Sequence, residues 1–300
     1  MPIAKEKPYI GRFAPSPSGP LHFGSLVAAL ASYLDAKASH GLWLVRVEDI
    51  DPPREQPGAT ETILMALDAY GMHWDGEVLY QSKREEAYQR VLEQLWEGGL
   101  LYPCNCTRKK LAGLNGVYPG FCRQKTSYPD NEPFALRLKC TDSKISFRDK
   151  IQGDQSVRLA DLGDFILRRK DLLYAYQLAV CVDDQYQGVT HIVRGYDLLD
   201  STPRQLYLQS LLEYRHPVYA HIPVITQVAG GEKLSKQNRA KALPLDYPRP
   251  LLVKAMKALG LQPDNDLLAS SVDEILLWGV EQWDINKVPK VPEIPMPMLL

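Results

Sequence analysis

One stretch constrains the fold more than any other: Pro15-Ser16-Pro17-Ser18-Gly19-Pro20, set between a short apolar run and a helix-forming run. Tyr9 to Ala14, bounded by Pro8 and Pro15, reads as a buried first strand. From Gly24 the chain runs Ser25-Leu26-Val27-Ala28-Ala29-Leu30-Ala31-Ser32-Tyr33-Leu34, rich in strong helix formers. Strand, Gly/Pro turn and helix in that order leave free N–H groups and a partial positive charge at the turn, where phosphate is favoured. Gly19 and Gly24 allow the backbone to approach a ligand closely. His22, just before the helix, is placed to donate to a phosphate oxygen. Taken alone, the same pattern also describes an ordinary strand-turn-helix with no ligand.

A second stretch lies far downstream. Ala229-Gly230-Gly231 leads into Glu232-Lys233-Leu234-Ser235-Lys236-Gln237-Asn238-Arg239-Ala240-Lys241, a flexible and cationic loop. An anion cradle and a mobile basic loop together suit a nucleoside triphosphate whose pyrophosphate departs.

Between them, strands and helices alternate. Trp43 to Val47 reads as a strand, and Ala59 to Ala69 and Glu85 to Leu95 as helices. A β-rich stretch, Phe134 to Val157, interrupts. The alternation resumes with a Phe165 to Arg169 strand, a Tyr174 to Val182 segment, a Thr190 to Arg194 strand and a Thr202 to Leu212 helix. His221 to Thr226 reads as one last strand before the basic loop. The expected fold is α/β: an open, Rossmann-like parallel sheet split by an insertion, with ligands at the carboxyl ends of the strands. The expected division is a first catalytic half over 1–100, a metal-binding, partly β insertion over 101–160, and a second catalytic half with the basic loop over 161–245. A short helical region follows over 246–285, with helices at Arg249 to Leu259 and Ser271 to Trp278, and then a Pro-rich tail over 286–300, extended or disordered.

Charge and cysteine usage limit the function. Across 300 residues the net charge is −1, which argues against a broadly basic nucleic-acid surface. Any RNA contact falls to local patches such as Arg108-Lys109-Lys110 and Arg168-Arg169-Lys170, which read equally as solvated faces. The N-terminal residues lack the apolar core of a signal peptide, and no run approaches the ~18 apolar residues of a membrane span. A cytoplasmic protein is expected. Five cysteines, an odd number, do not suit a disulfide framework. Cys104-Asn105-Cys106 and Cys122, after a Gly/Pro-containing loop, read as three ligands of a zinc knuckle, with no His between Cys106 and Cys122 to complete a tetrahedron. Cys140 and Cys181 lie in apolar stretches and read as buried small hydrophobes.

The motifs in combination resemble the class I aminoacyl-tRNA synthetases. His22-Phe23-Gly24-Ser25 is similar to the family's HIGH motif and Lys233-Leu234-Ser235-Lys236-Gln237 to its KMSKS motif. Phe23, Ser25, Leu234 and Gln237 depart from consensus, while the His, the Gly and both lysines are kept. Gly11 to Gly19, Val45 to Arg54 and Val193 to Leu199 resemble the glutamyl branch, so the likeness covers most of residues 8–245.

The resemblance implies a glutamate site built from Arg12, Phe13, Ala14, Pro15, Ser16, Glu48, Tyr176 and Arg194. Charge agrees, because a dicarboxylic amino acid needs cations for its carboxylates and an anion for its ammonium group. Either Arg12 or Arg194 takes the side-chain carboxylate, with Glu48 on the α-ammonium. ATP is expected at His22, Gly24, Ser25 and Lys236, with Mg²⁺ arriving on its phosphates and His22, Lys233 and Lys236 as the catalytic group. One glutamyl-like subfamily binds structural zinc through three cysteines and a tyrosine. That pattern falls here on Cys104, Cys106, Tyr118 and Cys122, with water as the alternative fourth ligand. Only residues 237–300 follow Lys236, too few for a full anticodon-binding domain on usual domain sizes. The likeness is therefore strongest to the short branch whose members activate glutamate without tRNA and transfer it to the queuosine base at the wobble position of tRNA(Asp). The partners implied are L-glutamate, ATP and queuosine-bearing tRNA(Asp), with neither membrane nor DNA. The alternatives are a truncated synthetase charging a tRNA 3′ end, an adenylating enzyme serving a non-RNA acceptor, and a non-catalytic tRNA-binding paralogue.

Overall fold

A computed structural model describes residues 8–114, 116–125, 127, 131–227 and 241–296. The basic loop with Lys233 and Lys236 lies outside the described residues.

The first half is a βαβ unit. Strand β1 (Ile10–Phe13) feeds helix α1 (Phe23–Ala38), which returns to strand β2 (Leu42–Val47). The two strands pair in parallel, from Ile10 opposite Leu42 to Phe13 opposite Val45. Helix α1 has Leu26, Leu30 and Leu34 fully buried, and His22 caps its start, the ring Nδ1 accepting from the Ser25 N–H. Helix α2 (Ala59–Ala69) then leads to a short strand β3 (Leu79–Tyr80), parallel to the end of β2. Helix α3 (Glu85–Glu97) opens on two acids, which suit the positive end of its dipole, and buries Tyr88, Val91, Leu92 and Leu95 at helical spacing.

The insertion is antiparallel. Strand β4 (Leu101–Cys104) and the single turn α4 (Arg108–Leu111) precede β5 (Ala135–Leu138). A hairpin of β6 (Lys144–Asp149) and β7 (Gly153–Arg158) follows, and then another single turn, α5 (Leu159–Leu162), and β8 (Phe165–Arg168). Strand β8 does not rejoin the parallel sheet, as the alternation predicted; it pairs antiparallel with β5 in the order β4-β5-β8. The cause is its half-buried alternation, with Phe165 and Leu167 inward, which fits a sheet packed on one face.

The parallel sheet resumes after helix α6 (Tyr176–Tyr186) with β9 (His191–Gly195), helix α7 (Thr202–Leu211) and β10 (Val218–Ile222). Strands β9 and β10 pair in parallel, and β9 runs beside β1, where the Thr190 N–H donates to the Ile10 carbonyl at 2.9 Å. The chain thus leaves β1 toward β2 on one side and later arrives at β9 on the other, the switch point at which α/β sheets bind ligands.

Two expectations change near the end. His221 to Thr226 is not one strand: Pro223, with no N–H to give, breaks it between β10 and β11 (Val224–Thr226). The Pro-rich segment is docked as well as extended. After helices α8 (Pro248–Ala258) and α9 (Val272–Gln282), which pack on α1, it forms β12 (Glu293–Pro295) parallel to β11, with Val288 buried. Among the described residues, no helix is long and apolar enough to cross a membrane.

The docking rests on one turn. Gly260 follows α8 at φ +86°, and a Cβ there would fall inside van der Waals contact of the Lys287 carbonyl oxygen. Gly260→Ala should therefore destabilise the protein by about 2–4 kcal/mol, from left-handed strain plus forced separation of the two segments. Urea unfolding measures it.

Candidate active site

A cavity of about 810 Å³ opens at the carboxyl ends of the parallel strands. Arg12, Phe13, Ala14, Pro15 and Ser16 reach it from β1 and its turn, and His22, Gly24 and Ser25 from the start of α1. Glu48 follows β2, Tyr176 begins α6, and Arg194 lies on β9. Every candidate glutamate and ATP residue within the described region lines this one cavity.

Its floor is a buried charge cluster. Arg12, 4% exposed, donates through Nε to Asp184 Oδ1 at 3.1 Å. Arg46, fully buried on β2, donates through Nη1 to the same oxygen at 2.8 Å and to Gln187 Oε1 at 2.8 Å. Its Nη2 reaches Glu48 Oε1 at 3.5 Å. Burial pushes the Asp184 carboxyl up, but Arg12 and Arg46 outweigh it and hold the group below the usual aspartate range. For Glu48 the balance reverses: burial, with Asp184 adding to it, wins over Arg46 and Arg12 and raises the carboxyl. Glu48 is therefore the anion in the cluster that gains most from a further cation.

Arg194 is held from all sides. Nε donates to His221 Nε2 at 2.9 Å, Nη2 to Thr202 Oγ1 at 2.8 Å and to the Leu198 carbonyl at 3.3 Å, and Nη1 to the Tyr176 hydroxyl at 3.3 Å. Of its five N–H groups, four are thus engaged, and the fifth is on Nη1. The Tyr176 hydroxyl, as acceptor from Arg194, keeps its own proton to donate. His221 in turn meets Asp149 Oδ2 through Nδ1 at 2.6 Å.

At the helix start, His22 spends Nδ1 on the Ser25 N–H at 3.3 Å, which in a neutral ring leaves the proton on Nε2. Gly19, at φ +136°, holds a conformation in the turn that residues with a side chain rarely adopt. On either side of the undescribed basic segment, Ile225 of β11 lines the cavity, and Ala242 bridges to His22.

The three cysteines come together elsewhere. Cys104, Cys106 and Cys122 are buried and unbridged, with all Sγ atoms within 4.8 Å of one another. Cys106 Sγ lies 3.6 Å from Cys122 Sγ, and the Tyr118 hydroxyl lies 3.4 Å from the sulfurs of both Cys104 and Cys106. A tetrahedral ion with standard zinc bond lengths requires about 3.8 Å between sulfurs and about 3.5 Å from sulfur to oxygen. The set fits. Burial pushes the Cys104 thiol up, but hydrogen bonding with Tyr118, the Cys106 backbone and Arg137 brings it down to about 7. Burial and the neighbouring thiols raise the Tyr118 phenol, so a phenolate here requires an ion to reverse that shift. Cys140 and Cys181 are buried in apolar surroundings, as expected.

Comparison with known proteins shows the family. The model of the class I tRNA synthetase catalytic domain, of the glutamyl and glutaminyl type, matches residues 10–276. The chain belongs to the class I tRNA synthetases. A relative from Pseudomonas fluorescens, called glutamyl-Q tRNA(Asp) synthetase, is 52% identical over 296 residues, covering 98% of both chains. Among solved structures, a glutamate tRNA ligase from Elizabethkingia meningosepticum, crystallised with its amino acid, superimposes with a TM-score of 0.80 at 28% identity, over 96% of this chain and 67% of that one. A glutamate-tRNA synthetase from Elizabethkingia anophelis gives a TM-score of 0.81 at 27% identity, over 98% and 69%. This synthetase is thus an enzyme of the ligase class, with the expected α/β catalytic fold.

Sequence reasoning missed four residues that organise the synthetase site: Arg46, Asp184, His221 and Asp149. Two carried a signal. Arg46 interrupts an otherwise apolar strand, and Asp183-Asp184 interrupt an apolar helix. Asp184→Asn should destabilise by about 3–5 kcal/mol at neutral pH, since it removes the buried ion partner of Arg12 and leaves Arg46 with only the longer ion contact to Glu48. The folded-state pKa of Asp184 is depressed, so this contribution is full above the unfolded value of about 3.9 and is lost as pH falls below it. Denaturant unfolding across pH should show the gap between wild type and variant narrowing only in acid.

Proposed function

We propose that this synthetase activates L-glutamate with ATP, without tRNA, and transfers it to the queuosine base at the wobble position of tRNA(Asp). One observation carries the reading: two guanidinium groups, one raised carboxyl and the cap of a helix N-terminus converge on a single cavity. The near-full-length likeness to glutamyl-Q tRNA(Asp) synthetase supports the acceptor. The glutamate tRNA ligase crystallised with its amino acid supports the substrate.

In this reading Arg12 and Arg194 bind the glutamate carboxylates, Tyr176 donates its hydroxyl proton to one of them, and Glu48 receives the α-ammonium. A site that pairs a side-chain carboxylate with a buried Arg rejects glutamine, whose amide leaves the guanidinium unmatched. The α-carboxylate is already a competent nucleophile. It attacks the α-phosphorus of ATP, the bond to pyrophosphate breaks, and glutamyl-AMP stays bound. Positioning and charge stabilisation do most of this. The first N–H groups of α1 and the His22 Nε2–H hold phosphate oxygens. Lys236, with Lys233 assisting, neutralises the departing pyrophosphate; the nearby described residues Ile225, which lines the cavity, and Ala242, which bridges to His22, support that reading. Mg²⁺ comes with ATP. A hydroxyl of the modified base then attacks the mixed anhydride, and AMP leaves.

Cys104, Cys106, Tyr118 and Cys122 are assigned to a structural zinc ion, closed by four protein ligands and without an open position for substrate. Cys106→Ser should lose bound zinc and lower the melting temperature while leaving residual adenylation in the folded fraction. Metal analysis paired with thermal unfolding checks it; full zinc content in the variant would remove Cys106 from the ligand set.

The acceptor is decided by charging assays. Labelled glutamate should appear on tRNA(Asp) that carries queuosine, not on tRNA(Asp) lacking it and not on tRNA(Glu). ATP–pyrophosphate exchange should require glutamate and proceed without any tRNA. Label on tRNA(Glu) alone would assign 3′-end charging instead.

A further inference from the structure

The insertion hairpin connects to Arg194 through two residues that the activation chemistry does not use and that do not line the cavity: Asp149 at its turn and His221 on β10. Asp149 ends β6 and is 1% exposed. Its Oδ1 accepts from the backbone N–H groups of Ile151 (3.0 Å), Gln152 (2.8 Å) and His221 (3.2 Å), which fixes the carboxylate at the hairpin turn. Its Oδ2 meets His221 Nδ1 at 2.6 Å, and His221 Nε2 meets Arg194 Nε at 2.9 Å. His221 is fully buried on β10.

The protons on this chain are determined. Arg194 Nε–H is always a donor, so His221 Nε2 must be the acceptor. An imidazolium, or a neutral ring with its proton on Nε2, would set two donors against each other at 2.9 Å. The carboxylate of Asp149 accepts only, so it selects the ring form protonated at Nδ1, which is the form Arg194 requires. We propose that Asp149 and His221 are positioning residues for amino-acid binding. By holding one histidine tautomer, they orient the Arg194 guanidinium toward Tyr176 and the cavity. The role rests on the reading of Arg194 as a glutamate ligand. It gives the insertion a part in substrate affinity, besides carrying the cysteine cluster.

Asp149→Asn tests it. The asparagine oxygen can keep the three backbone bonds, so the turn is preserved, while its NH₂ faces His221 Nδ1. The ring then shifts its proton to Nε2, against Arg194. Glutamate-dependent exchange should show KM for glutamate raised about 10–100-fold, the scale of one lost hydrogen bond to a charged group. KM for ATP and kcat at saturating glutamate should stay within about threefold of wild type on the same scale. Nitrogen-15 spectra of the histidines should move His221 from the Nδ1–H to the Nε2–H pattern, with or without ligand. A second pair of variants covers failure of Asp149→Asn to fold. His221→Gln places an amide oxygen near the Nε2 position and should hold KM for glutamate near wild type, whereas His221→Leu should raise it as Asp149→Asn does. Unchanged KM for glutamate in Asp149→Asn, equal rises for both substrates, or identical behaviour of His221→Gln and His221→Leu would each overturn the role. Wild-type protein without glutamate-dependent exchange would instead overturn the underlying reading of the cavity.

Discussion

A single carboxylate holds the site in shape. Asp184, buried on α6, accepts from Arg12 of β1 and Arg46 of β2 on one oxygen. Without it Arg12 would lose its ion pair and Arg46 the shorter of its two, and an under-paired buried charge costs several kcal/mol. The same contacts dock α6 against the first two strands, so the packing of the sheet and the placement of Arg12 are one event. Arg46 extends the cluster to Glu48. Two cations and two anions thus balance, and of the four, Arg12 and Glu48 line the cavity.

Charge is distributed by distance from that cluster. Arg12 and Glu48 share it, whereas Arg194 is fixed independently by His221, Thr202 and Tyr176. The cavity thus presents two separately supported cations. At the helix start, His22 works as the cap through Nδ1. The cap thus fixes a side chain that also lines the cavity.

Much of this was legible in residue order. The Pro/Gly turn, the Ala/Leu-rich helix and the buried strand before it need only neighbouring residues, so β1, α1 and the cavity wall from Arg12 to Ser25 followed from local patterns. The cysteine cluster was readable for the same reason, since its members fall within Cys104 to Cys122. Strand β8 was assigned to the wrong sheet because four alternating residues do not encode a partner; pairing with β5 did. The break at Pro223 and the docking of Pro295 against β11 likewise depend on what lies alongside.

Sequence alone determined the parts whose physics is short-ranged: helix and strand periods, the cap, the turn and the kinds of charge available for a dicarboxylic amino acid and a triphosphate. Tertiary structure alone decided which charges meet. Arg46 and Asp184 stand 138 positions apart, and Asp149 and His221 stand 72 apart. A charge removed from water takes whichever counter-charge the packing delivers, and packing is settled by the whole core rather than by spacing along the chain.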